Sequence, residues 1–190
     1  MIKIYSALIS DFTQADYTEM YSLLDCALRE KIDAKKQMHD KLCSIAGYML
    51  LYRGILELYG KTDFHISFNL HGKPMCDFCF FNISHSENRV VCAIGDEVMG
   101  IDIQRIKPIK LRPRYKFFNE RENRYVNYDN ALASARYAEI FTKKESAVKM
   151  LGQSLSYSKF IDTFTNDFCF ETHFDGDFIT TVCSEKKEIV

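Results

Sequence analysis

Apolar positions along the chain switch between two periods, and the switches mark the elements. Met1–Ile9 alternates, with Ile2, Ile4 and Tyr5 in strand-like positions. Asp16–Arg29 carries Tyr17, Met20, Tyr21, Leu24 and Leu28 at helical spacing and predicts one helix. Asp40–Tyr59 repeats that spacing through Leu42, Ile45, Ala46, Met49, Leu50, Arg53 and Leu56, and Gly60 supplies the stop. Short strands follow: Phe64–Phe68, then Phe81–Ile83 ending in a polar corner at Ser84-His85-Ser86, then Val90–Ile94 and Val98–Ile103. A second long helix runs from Ala131 to Leu151 and stops at Gly152. Beyond it the pattern returns to strands, at Phe160–Phe164, Phe168–Phe174 and Phe178–Cys183. Asp175-Gly176-Asp177 makes the last two a hairpin.

These elements repeat. Each half carries one long helix ahead of its strands, and Val90-Val91-Cys92-Ala93 echoes Thr181-Val182-Cys183-Ser184. The reading is an α+β chain of two similar α/β halves, residues 1–103 and 104–190, with a ligand cleft at the seam. At 190 residues, nearly half of them hydrophobic, the chain can bury a sizeable core. A net charge of −1 provides no field for nucleic acid. No long apolar run or signal peptide is read, so no membrane is expected. Seven cysteines scattered through apolar runs fit buried thiols in a reducing cytoplasm. Cys76-x-x-Cys79 has metal or redox spacing but no second pair, and is set aside.

The candidate chemistry gathers at the seam. Asp102 sits between Ile101 and Ile103 on a strand, so it faces away from both. Glu145 and Lys149 are four apart on the second long helix and share a face, with Lys143 and Lys144 nearby. That face suits either a solvated Glu–Lys pair or a carboxylate that holds a metal beside ammonium groups that hold phosphate. Lys73, in the turn Gly72-Lys73-Pro74, is either a turn solubiliser or a fixed cation at the mouth of a site.

Four segments in order decide between these readings: Gly72-Lys73-Pro74, Phe81–Ser86 (FNISHS), Met99–Asp102 (MGID) and Phe141–Lys149 (FTKKESAVK). Together they resemble the surfactin-synthetase-type phosphopantetheinyl transferases over roughly residues 30–185, and Phe117-Phe118 and Leu155-Ser156 fit as well. The resemblance implies a pseudo-twofold monomer that binds coenzyme A between its halves. It implies magnesium-dependent transfer of the phosphopantetheine arm to a serine of an acyl or peptidyl carrier protein, with release of adenosine 3′,5′-bisphosphate. Carried over by motif, Asp102 and Glu145 would be magnesium ligands, and Gln104 a neutral one, directly or through water. Lys149 would meet the pyrophosphate, Lys144 would neutralise phosphate or support that contact, and Glu145 would take the serine proton. Ser84 and His85 would hold nucleotide phosphates, His85 the 3′-phosphate. Lys73 would help hold the nucleotide end, and Lys31 and Ser44 would make first-half contacts to coenzyme A.

The chain departs from the family at Gln104, where a third carboxylate is usual, at Phe141 for Trp, and at Gln153-Ser154 for Lys-Gly. Gln104 leaves open a relative that binds coenzyme A or carrier protein without turnover. The basic stretch Lys107–Lys116, with Phe117, Phe118, Tyr125 and Tyr128, is either a crossover or a dock for an acidic carrier.

Overall fold

The computed structural model describes residues 1–70, 72–110 and 115–186. His71 of the Gly-Lys-Pro turn and residues 111–114 of the basic stretch lie outside them. Strand β1 (Ile2–Leu8) leads into helices α1 (Gln14–Leu23) and α2 (Cys26–Asp33). The single helix expected over Asp16–Arg29 is therefore two. Asp25 breaks it, its carboxylate accepting from Leu28 N at 2.9 Å as the cap of α2. Helix α3 (Met38–Tyr59) ends where Gly60 takes φ 64°.

A small hairpin, β2 (Ile66–Phe68) and β3 (Pro74–Cys76), precedes β4 (Phe80–Ser86), β5 (Arg89–Gly95) and β6 (Met99–Arg105). The polar corner expected at Ser84-His85-Ser86 is strand instead, and the chain turns at Glu87 and Asn88. Helices α4 (Glu120–Asn127) and α5 (Ala133–Leu151) follow, then the hairpin β7 (Phe168–Asp175) and β8 (Phe178–Glu185). Phe160–Phe164 is not a strand. A 3-10 helix spans Leu155–Phe160, and after it Lys144 of α5 bonds the Ile161 carbonyl and Glu122 of α4 the Thr163 N–H.

Two three-stranded antiparallel sheets result, ordered β1–β5–β4 and β6–β8–β7. Both repeat one connectivity: a strand, a long helix, then a hairpin whose last strand sits in the middle. The echoing segments at 90–93 and 181–184 fall on the two middle strands, β5 and β8. Because β6 pairs with β8 along its length, a boundary after residue 103 would cut it, and Met99–Arg105 goes whole with the second sheet.

Helix α3 packs Leu50, Leu51 and Ile55 against one face of the first sheet, where Cys92 and Ile94 point. The other face of that sheet presents Val91 and Ala93 to Met99, Ile101, Ile103 and Val182 of the second. Helix α5 covers the second sheet's far side, and its Ala147, Val148 and Met150 cluster with Cys183 of β8 and with Ile161. Each fully buried isoleucine of the middle layer is worth roughly 1.5–3 kcal/mol over exposure. That layer sets β4 beside β6.

Candidate active site between the two sheets

Strands β4 and β6 run side by side in the same direction, joined by side chains of β4. Asn82 Oδ1 accepts from Ile101 N at 2.9 Å, and Ser86 Oγ accepts from Arg105 N at 3.0 Å. Between them Ser84 Oγ donates to Asp102 Oδ1 at 2.8 Å. The polar alternation at positions 82, 84 and 86 thus faces the partner strand, while Phe81 and Ile83 pack on the α3 side. Asp102 is only 3% exposed. Its Oδ1 also accepts from Lys149 Nζ at 2.7 Å, and its Oδ2 from Gln104 Nε2 at 3.2 Å. Lys149 Nζ bonds Ser84 Oγ at 2.8 Å and the Ile101 carbonyl at 3.1 Å as well. A buried carboxylate is thereby held by an ammonium and two neutral donors, the satisfaction that a buried charge requires.

Helix α5 reaches this point because Gly100 has no side chain. A Cβ there would stand 2.0 Å from the Ser146 carbonyl oxygen and 2.5 Å from Met150 N. The glycine of MGID and the serine of KES are two sides of one contact. Thr142 Oγ1 bonds Thr181 Oγ1 of β8 at 2.9 Å and seats the helix one turn earlier. Glu145 then stands beside Asp102 and Lys149. Its Oε1 is buried and has no hydrogen-bond partner among the described residues. Burial, and secondarily the Asp102 charge, push its carboxyl up from the ordinary 4.5 to about 7, against the pull of Lys149. A buried carboxylate oxygen without a donor, close to a second carboxylate, suits a hard divalent cation. Among the described residues no cluster of three or more His, Cys, Asp or Glu side chains stands ready for a metal. The arrangement therefore fits a cation that takes one or two carboxylates and finds its remaining ligands on substrate phosphates and water, which is how magnesium is commonly held.

A cleft of about 560 Å³ opens on Asp102 and Lys149. Lys31, Lys35, Ser44, Ser84 and His85 line it. Ser44 Oγ donates to the Asp40 carbonyl at 2.9 Å, and Lys31 Nζ lies 3.9 Å from the Phe68 ring centroid. Burial, and next the Lys35 charge, pull the His85 imidazole below its ordinary value, so it is mostly neutral at pH 7. Three lysines and a histidine around one mouth make a site for a polyanion. Lys35 is the residue that motif matching passes over; its only sequence signal is the basic run from Arg29 to Lys41.

The 4′-phosphopantetheinyl transferase superfamily model matches residues 98–189, the stretch that holds Asp102, Glu145 and Lys149. The 4′-phosphopantetheinyl transferase gsp of Aneurinibacillus migulanus is 36% identical over 121 residues, 61% of this chain and 51% of that protein. The 4′-phosphopantetheinyl transferase Sfp of Bacillus subtilis is 29% identical over 167 residues, 82% of this chain and 72% of that protein. Over these stretches the chain is similar to the 4′-phosphopantetheinyl transferases. It spans about half the length of the Aneurinibacillus relative.

Glu145 and Gln104 stand against Asp102 outside the lining of the cleft, and two further residues expected in the site, Lys144 and Lys73, lie away from Asp102. Lys144 is 1% exposed and is ion-paired to the buried Glu122 at 2.9 Å, pointing away from the cleft. Residues 144 and 145 project about 100° apart on a helix, so one cannot share the other's direction. Lys73 Nζ donates to the carbonyls of Met150 (3.1 Å) and Met99 (3.5 Å) and lies outside the lining of the cleft. It ties the end of α5 to the start of β6, and burial lowers its pKa.

Of the expected dock, Tyr128 is exposed, while Phe118 is half-buried against Tyr115 and Tyr137. Cys76 and Cys79 are free thiols, the latter buried. No helix among the described residues is long and apolar enough to cross a membrane.

Proposed function

We propose that this chain transfers the 4′-phosphopantetheine arm of coenzyme A to a serine hydroxyl of an acyl or peptidyl carrier protein. The observation that carries this reading is the pairing of Asp102 with Glu145, whose Oε1 is buried without a partner among the described residues, beside Lys149 and a lysine-lined cleft. Asp102 and Glu145 would hold magnesium. When bound, that ion neutralises charge building on the pyrophosphate. Lys149, which already reaches Asp102 and Ser84, is within reach of the same oxygens. His85, Lys31, Lys35 and Ser44 hold the nucleotide phosphates, His85 the 3′-phosphate. Glu145 accepts the serine proton as the serine oxygen bonds to phosphorus, and the phosphorus–oxygen bond to adenosine 3′,5′-bisphosphate breaks. The work is largely positioning and charge stabilisation, the terms that dominate phosphoryl transfer.

The repeated connectivity of the two sheets supports a pseudo-twofold monomer whose halves meet at the turn of residues 96–98. On this reading the protein is a cytoplasmic enzyme of the holo-[acyl-carrier-protein] synthase type. Gln104, a neutral donor to Asp102, favours one other reading: a relative that binds coenzyme A without turnover. Incubation with coenzyme A, magnesium and apo-carrier protein separates them. The first reading requires the carrier to gain the phosphopantetheine mass. Retention of coenzyme A with no gain on any apo-carrier would leave only the second.

A further inference from the structure

Glu122 and Lys144 form a saturated ion pair outside the cleft. Glu122 is fully buried; its Oε1 accepts from Thr163 N and Thr163 Oγ1, both at 3.0 Å, and its Oε2 from Asn119 N at 2.8 Å. Lys144 Nζ meets Glu122 Oε2 at 2.9 Å and donates to the carbonyls of Ser158 (3.0 Å) and Ile161. One pair thus joins α4, α5 and residues 158–163. Stability alone does not account for it, because a well-packed apolar pair of similar volume is often as stable or more so. What an ion pair adds is direction.

The direction matters through the roll of α5. At about 100° per residue, Thr142, Ser146 and Lys149 fall within about 60° of one another, on the side that meets β6 and β8. Glu145 lies about 40° beyond that arc, next to Lys149. Lys144 projects about 200° from Thr142, on the opposite side of the helix. The sheet holds one side of α5, and Glu122 holds the other. We propose that the Glu122–Lys144 pair is a positioning element of the site: it sets the roll of α5 that brings the Glu145 carboxylate against Asp102. This rests on the reading of Asp102 and Glu145 as a divalent-cation site.

The test compares the wild-type protein with the double variant Glu122→Leu/Lys144→Met, which removes both charges and leaves neither unpaired. The readouts are thermal unfolding, Mn²⁺ binding by electron paramagnetic resonance, and carrier modification. We expect a lowered melting temperature, because the N–H groups of Thr163 and Asn119 lose their acceptor, with Mn²⁺ bound about tenfold more weakly by the protein that is folded, as when a group that orients a metal ligand is lost, and a matching loss of transfer. A folded double variant with wild-type Mn²⁺ affinity overturns the proposal. So does a weakening that only tracks lost stability. If the double variant does not fold, Glu122→Gln replaces it and is read the same way. If the wild-type protein binds no Mn²⁺, the cation reading fails by itself, and amide exchange across residues 142–149 then decides. Faster exchange in the folded variant supports positioning, and unchanged exchange refutes it.

Discussion

Replacing Glu145 by Gln removes a carboxyl that the free protein holds near pKa 7, well above its ordinary 4.5. The folded chain binds this proton more tightly than the unfolded chain does. The contribution of the group to stability is therefore fully present below about pH 4.5, declines as pH rises, and is lost above about 7. A displacement of this size corresponds to about 3 kcal/mol of disfavoured charge. Partial access to solvent reduces that to roughly 1–2 kcal/mol. Glutamine keeps the shape and does not titrate. Urea unfolding of both proteins at pH 5, 6, 7 and 8 should show the variant gaining on the wild type by roughly 1–2 kcal/mol across the series. Magnesium should close the gap at pH 8, because it stabilises only the protein that binds it. The same substitution should abolish most carrier modification. Parallel stability curves at all four pH values, or near-full transfer by the variant, would refute the account of Glu145.

Gly100→Ala should cost about 3 kcal/mol in urea unfolding, because its methyl group would displace the backbone of α5 at Ser146. It should weaken Mn²⁺ binding as well; a variant of wild-type stability would show that the contact is loose. Asn82→Ala should cost about 1–3 kcal/mol by leaving the buried Ile101 N–H without an acceptor, again read by urea unfolding. Gln104→Glu places a carboxylate on the strand face of Asp102, so magnesium titration should show tighter binding and the cation-free protein should be less stable. An unchanged magnesium requirement would show that position 104 does not tune the metal.

Much of this was legible along the chain because it depends on local period. The two long helices, the hairpin at Gly176 and the facing of Asp102 away from its isoleucines follow from spacing alone. Gly60 and Gly152 stop their helices as glycine does wherever a left-handed residue is needed, at φ 64° and 65°. Asp102, Glu145, Lys149, Ser84 and His85 could be singled out because the motifs that hold them resemble those of a known family. Asp25 shows the limit of periodicity: the apolar spacing runs through it, but one side-chain bond to Leu28 N ends one helix and starts another.

The direction of each ammonium group was decided by tertiary structure. Lys144 and Lys149 look alike in sequence, yet one is sealed against Glu122 and the other reaches Asp102. The acidic partner of Lys144, Glu122, lies on the preceding helix, and helical spacing says nothing about a residue on a different element. Residues 160–164 read as a strand for the same reason: their apolar pattern is real, but the Ile161 carbonyl and the Thr163 N–H end on Lys144 and Glu122, and the remaining bonds are local turns. Sequence determined which groups this protein owns and which way each points from its own element. The packing of two sheets and two helices decided which of those groups meet, because a buried charge settles only where a partner from elsewhere in the chain can satisfy it.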